Sequence, residues 1–164
     1  MEVNNELKDK AISLGLCQQW TSEWSDDETK DTLCEKYMRG IDFCIEHDYP
    51  SSKYLKDNFD GVMQNHGMFV DDIVNRDNLR VMTINGLSIG SLNYDKFNIG
   101  RIYLRHNSRV NIDVKDNAKI LVSMYDNSVL NVTCSGESNV YVQRHGGKIN
   151  YDKNNKNILI HECI

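Results

Sequence analysis

The chain has 164 residues, enough for one average domain or two very small ones. With 40% hydrophobic and 26% charged residues it has the balance of a folded protein, and no apolar run approaches the ~18 residues of a membrane span. A net charge of −5 argues against general nucleic-acid binding, and five cysteines behind a polar N-terminus read as free thiols of a cytoplasmic protein.

The charge is uneven. Residues 1–78 hold 17 acids and 8 bases, a net −9, whereas residues 79–164 hold 7 acids and 11 bases, a net +4. The hydrophobic period changes at the same place, so the chain is expected to divide into a helical head (1–78) and a second module (79–164).

In the head the apolar spacing is helical. Val3, Leu7, Ala11 and Leu14 share one face, and Leu16, Cys17, Trp20 and Trp24 continue it after a break at Gly15. Ser25 followed by Asp26, Asp27 and Glu28 has the form of an N-cap with acids in the first turn. Leu33, Cys34, Tyr37, Met38, Ile41, Cys44 and Ile45 make an apolar stripe. Pro50, Ser51 and Ser52 then punctuate, and a third helix with Tyr54, Leu55, Phe59, Val62 and Met63 inward ends near Gly67.

The second module repeats every ten residues. Asn98–Asn107, Ser108–Asn117, Ala118–Asn127, Ser128–Glu137 and Ser138–Gly147 align without a gap. Each unit alternates apolar and polar residues, as in Val110, Ile112 and Val114, the signature of a half-buried strand. Each ends in a pair such as Asp116-Asn117 or Gly136-Glu137, residue types that accept the left-handed backbone of tight corners. Fixed-period self-similarity predicts a β-solenoid in which two units make one flattened coil. A meander of antiparallel hairpins would use the same strand lengths; the gapless register favours the solenoid. Residues 79–84 and 87–94 are expected to form the first rung, and Ile158 with Ile160 the last.

The Val-x-Val repeat with polar or glycine corners resembles the short β-solenoid rungs of bactofilins and of autotransporter-type passenger repeats. An autotransporter would also need a signal sequence and a membrane barrel, and bactofilins lack so large a helical head. The blocks Leu16–Trp20, Lys36–His47 and Ile102–Ser108 are similar to uncharacterised small proteins of gut Bacteroides genomes and their phages. These resemblances imply an architecture and no activity.

In a two-unit coil, alternate units share a face. The outward side chains of one face are Arg101, Tyr103 and Arg105; Leu121, Ser123 and Tyr125; Tyr141, Gln143 and His145. The other presents Asn111, Asp113, Lys115, Asn131, Thr133 and Ser135, small and polar as a solvated sheet should be. Aromatics with arginine are the composition of interface centres. The expected partner- or ligand-binding face is therefore Arg101, Tyr103, Arg105, Leu121, Tyr125, Tyr141, Gln143 and His145. Its possible covers are the acidic head, a second copy, another protein or a small anionic ligand.

Catalytic signals are weak. Gly86-Leu87-Ser88-Ile89-Gly90 matches the nucleophile-elbow pattern, but strand-like residues follow it where a helix is required, so it reads as a turn. Cys44 and His47 offer one metal-ligand pair where structural zinc wants two. Cys17, Cys34 and Cys44 read as small hydrophobes on helical stripes, and Trp20 and Trp24 as core. Asp71-Asp72 reads as linker surface. Arg144 falls at an inward phase at the end of the repeats and would need an acid such as Asp152 or Glu162.

The sequence thus predicts an α+β chain, a small helical unit followed by a short β-solenoid with ten-residue half-coils. It reads as a non-enzymatic binding or assembly protein that self-associates or presents a solenoid face to a protein, with no cofactor, metal or membrane. Two rivals are a nucleotide or small-molecule binder using Arg101, Arg105 and His145, and a small hydrolase or carbohydrate-active protein.

Overall fold

The computed structural model describes residues 2–163. The chain falls into two compact units, Met1–His66 and Gly67–Ile164.

The first unit carries five helices: α1 (Glu2–Ser13), α2 (Gln18–Ser22), α3 (Lys30–Arg39), α4 (Ile41–Glu46) and α5 (Ser52–Phe59), then a 3-10 turn at Met63–His66. The single stripe expected across residues 33–45 is two helices, broken at Gly40. A Cβ there would lie 3.3 Å from both the Lys36 carbonyl and the Trp20 ring, so the chain passes close and turns. The N-cap of α3 is Thr29, whose hydroxyl accepts from the Thr32 amide at 3.2 Å. Ser25, expected to cap, stands earlier in a turn: its amide donates to Glu28 Oε1 at 3.1 Å and its hydroxyl donates to Asp27. The acids 26–28 therefore lie in a loop. Ser51 caps α5 through the Tyr54 amide.

Leu7, Ala11, Leu33, Cys34, Tyr37, Ile41, Cys44, Leu55, Phe59 and Met63 are buried. Cys17 is exposed, contrary to its expected place on an apolar stripe, because it is the extended residue that opens α2. Trp24 is held by polarity as well as packing. Its indole N–H donates to Asn4 Oδ1 at 2.7 Å, and the Asn4 amide donates to the Ser25 carbonyl at 3.1 Å. Lys36 ties the same loop, reaching Glu28 at 3.0 Å and the Glu23 carbonyl at 3.1 Å.

The second unit is a parallel β-solenoid. Its strands are β1 (Met68–Val70), β2 (Ile73–Asp77), β3 (Val81–Asn85), β4 (Ile89–Tyr94), β5 (Ile99–Leu104), β6 (Arg109–Val114), β7 (Lys119–Met124), β8 (Val129–Cys134), β9 (Asn139–Arg144), β10 (Lys148–Asn150) and β11 (Ile158–Glu162). Odd strands stack into one sheet in the order β1-β3-β5-β7-β9-β11, even strands into another in the order β10-β8-β6-β4-β2. Every pairing is parallel, which removes the hairpin alternative. Ile102 pairs with Val122 and Val122 with Val142, so one coil takes two ten-residue units.

The coil begins earlier than the sequence pattern suggested. β1 and β2 form the first rung, ahead of Asn78; residues 79–84 and 87–94, expected first, supply β3 and β4 of the second. The first rung hides because Arg76 occupies an inward phase, paired with Leu92. It lies over the Phe69 ring at 5.1 Å and covers the end of the core. Asp71-Asp72, expected on a linker, forms the corner of this rung, where Asp71 (φ 50°) accepts from the Leu87 amide at 2.7 Å.

The regular corners follow one device. His106, Asp116 and Asp126 adopt φ of 57° to 59°, and Gly136 takes the same place at 66°. Their side chains cap the corner of the preceding coil. Asp126 Oδ2 accepts from the His106 amide at 2.8 Å, and Asp116 Oδ2 from the Lys96 amide at 2.9 Å. Ser88, Ser108, Ala118, Ser128 and Ser138, which reopen units, are fully buried, and Asn98 at the same position is half-buried. Between the sheets Leu92, Ile102, Leu104, Ile112, Val122, Leu130 and Val142 stack in columns. Tyr94 is buried among them, its hydroxyl donating to the Leu79 carbonyl at 2.7 Å. Arg144 ends the inward column; Glu162 receives it at 3.0 Å and the Gly147 carbonyl at 2.7 Å.

Candidate functional site

The expected binding face is the outer surface of the odd-strand sheet, and alternation along each strand places its residues in three columns. Arg101, Leu121 and Tyr141 pair in the first, with Val81 before and Leu159 after. Tyr103, Ser123 and Gln143 form the second, where the Ser123 hydroxyl donates to Gln143 Oε1 at 3.0 Å. Arg105, Tyr125 and His145 form the third, each amide bonded to the preceding coil. The Tyr125 and His145 rings stack, 4.6 Å apart and 9° from parallel.

The first two columns lie on the sheet and the third one residue past its strand ends, and the side chains are not equivalent. Tyr141 and His145 are exposed, Arg101, Leu121, Tyr125 and Gln143 half-buried, and Tyr103 and Arg105 buried. Arg101 turns its guanidinium over the Tyr103 ring at 4.7 Å. Tyr125 stands between Arg105 and His145. Arg101, Arg105 and His145, expected to hold an anionic ligand, thus occupy two different columns.

Leu159 was missing from the expected face. It is 59% exposed and sits beside Tyr141, itself 38% exposed. The signal for it was present, since Ile158 and Ile160 facing inward oblige Leu159 to face outward.

Ser88 of the elbow-like pattern is buried in a strand-to-strand corner, donating to the Asn85 carbonyl and accepting from the Asp72 amide. Strand β4 follows it, where a nucleophile elbow needs a helix. All five cysteines are free thiols. Burial, aided by Asp31 and Glu35, pushes the Cys34 thiol up to about 12, leaving it protonated at neutral pH. Among the described residues no three His, Cys, Asp or Glu side chains group so as to hold a metal ion. No described helix is long and apolar enough to cross a membrane.

The even-strand sheet is polar, as expected, but more ordered than a merely solvated surface. Ser91, Asn111, Asn131 and Asn150 pair in one outward column, and Asn93, Asp113 and Thr133 in the next. Between them runs an open groove of about 370 Å³. Asn131 Nδ2 donates to Asn111 Oδ1 at 2.7 Å, and Asn150 Nδ2 to Asn131 Oδ1 at 2.7 Å.

The architecture defines an α+β protein with a helical unit and a two-sheet parallel β-solenoid. No family model, no curated protein and no solved structure matches the chain.

Proposed function

We propose that the chain is a binding and assembly protein that works by display, holding side chains at the ~4.8 Å spacing of stacked strands for a second copy or a protein partner. The observation that carries this is the pair Tyr141 and Leu159, large, adjacent and exposed on a rigid sheet, with Leu121 next in the column. All-parallel sheets are ordinarily covered on both faces. Covering a Leu or aromatic side chain is worth about 1.5–3 kcal/mol, and tyrosine is among the residues that dominate interface energetics. On this reading the chain acts in the cytoplasm, within the small-protein repertoire of gut Bacteroides and their phages that its sequence blocks resemble.

Light scattering across a concentration series tests self-association. The expected result is a mass that rises with concentration, and a Tyr141→Ser/Leu159→Ser variant that keeps the melting temperature but needs at least tenfold more protein to associate. A strict monomer at high concentration, or an unaltered series for the variant, overturns the self-associating form.

A further inference from the structure

We propose a second binding surface on the opposite sheet: the groove across β4, β6, β8 and β10 takes a neutral linear oligosaccharide. It is independent of the assembly face.

The first support is preorganisation. The amides of Asn111, Asn131 and Asn150 form a continuous one-directional chain, each 2.7 Å from the next. Each side chain is thereby fixed in rotamer and in the sense of its amide, so less entropy is lost when a ligand binds. An amide carries two donor hydrogens and a two-lone-pair acceptor. The chain thus leaves uncommitted the second N–H of Asn131 and Asn150, both N–H of Asn111, and Oδ1 of Asn150.

The second support is the facing column. Among the described residues the Asp113 carboxylate meets no hydrogen-bond or ion-pair partner, although it lines the groove. The Thr133 hydroxyl donates to the Ile112 carbonyl at 3.3 Å and keeps its lone pairs for an incoming donor. The wall of Asn111, Asn131 and Asn150 is therefore rich in donors, with Oδ1 of Asn150 an acceptor among them, and the opposite wall offers the acceptors of Asp113 and Thr133 beside the Asn93 amide, which donates to Asp77 at 2.8 Å.

This pattern selects the ligand class. No lysine or arginine lines the groove, which argues against phosphate, carboxylate and nucleic acid. No aromatic side chain lines it and its apolar residues are the inward-pointing Leu92, Ile112 and Val132, so an apolar peptide finds no anchor. A vicinal hydroxyl pair both donates and accepts, and matches facing rows of the two kinds. The groove crosses four strands, about 14 Å, and runs straight and open, which suits a chain of sugar rings rather than a single ring.

The experiment titrates the full-length, 15N-labelled chain with cellohexaose and, separately, with chitohexaose, following the side-chain amide signals of Asn111, Asn131 and Asn150. The expected result is saturable shifts of these signals with at least one hexasaccharide. Asn131→Ala should weaken binding by about fivefold or more, and Asp113→Asn, which keeps the shape, by about threefold to tenfold, the loss of one hydrogen bond. Both variants should keep the wild-type melting temperature and light-scattering profile. Absence of shifts at millimolar sugar, shifts confined to other residues, or binding unchanged in both variants overturns the proposal. So do equal shifts with calcium chloride alone, which would make Asp113 a cation ligand. A change in association state without sugar binding would concern the assembly face only.

Discussion

The two units of this chain solve one problem in opposite ways. The helical unit has helices of 5 to 12 residues, too short to persist alone in water. It depends on particular ties: Asn4 to Trp24 and Ser25, Lys36 to Glu28 and Glu23, and the Tyr49 hydroxyl donating to the Leu7 carbonyl. The solenoid depends on no single tie. Its backbone bonds and columns recur coil after coil, so the stability of each rung rests on the rungs beside it. Damage to the first should be local to a named contact; damage to the second should spread to neighbouring coils.

The hardest test of this contrast is Ile102→Ala, in the middle of an inward column between Met82 and Val122. Removing a fully buried aliphatic should cost about 2–5 kcal/mol. Hydrogen exchange should show protection falling in β3 and β7 as well as β5. A loss confined to β5 would break the picture of neighbour-dependent rungs.

In the helical unit the matching test is Asn4→Ala. Asn4 is 1% exposed and satisfies both the Trp24 indole and the Ser25 carbonyl. Leaving a buried polar group unmet costs about 1–3 kcal/mol. Denaturation followed by tryptophan fluorescence should report that loss, with solenoid amide protection unchanged. A midpoint equal to wild type would show that the tie carries no stability.

A corner of the solenoid offers a smaller effect. Asp126 contributes both a left-handed backbone and an acceptor for the His106 amide. Asp126→Ala should cost about 1–2 kcal/mol, and Asp126→Gly less, because glycine accepts the backbone at no steric cost while losing the cap. Equal melting temperatures for the two variants would assign the whole effect to the hydrogen bond.

How far the sequence revealed this molecule follows the same contrast. The repeat was legible because every coil restates it: columns, corners and the outward faces followed from a ten-residue register and a period of two. It failed where repetition failed, at the first rung, because Arg76 interrupts the apolar alternation and works by lying on Phe69. The helices were legible as apolar stripes, and so was the break at Gly15, but the break at Gly40 was not. The choice of Thr29 over Ser25 as cap, and the break at Gly40, depend on Glu28 and Trp20, contacts that no local pattern encodes. Five of the eight residues of the expected face lie on odd strands and the other three one residue past their ends, yet columns alone did not tell exposed Tyr141 from buried Tyr103. The asparagine ladder went unread because three amides twenty and nineteen residues apart look like ordinary solvated positions until the coils stack them.

The last prediction separates the units by acid. In the helical unit several carboxyls are held below their usual range. Burial alone would raise Glu28, but hydrogen bonds from Thr32, Lys36 and the Ser25 amide outweigh it. Gln64, then Lys56, lowers Asp60; Gln19, then Arg39, lowers Glu23; and Lys8 lowers Asp26. A carboxyl depressed in the folded state binds fewer protons there than in the unfolded chain, so its contribution is complete above the ordinary carboxylate range. It is lost as pH falls through that range and down to the lowered folded values. Three of these four groups are exposed or nearly so, and each effect is small and weakens with salt. Below about pH 4.5, where free carboxyls begin to protonate, tryptophan fluorescence should change before solenoid amide protection does, and added salt should narrow the gap. Both tryptophans, Trp20 and Trp24, belong to the helical unit, so the optical signal reports that unit alone. If the solenoid amides lose protection first, its stability rests on charged groups after all, and the contrast between ties and repetition fails.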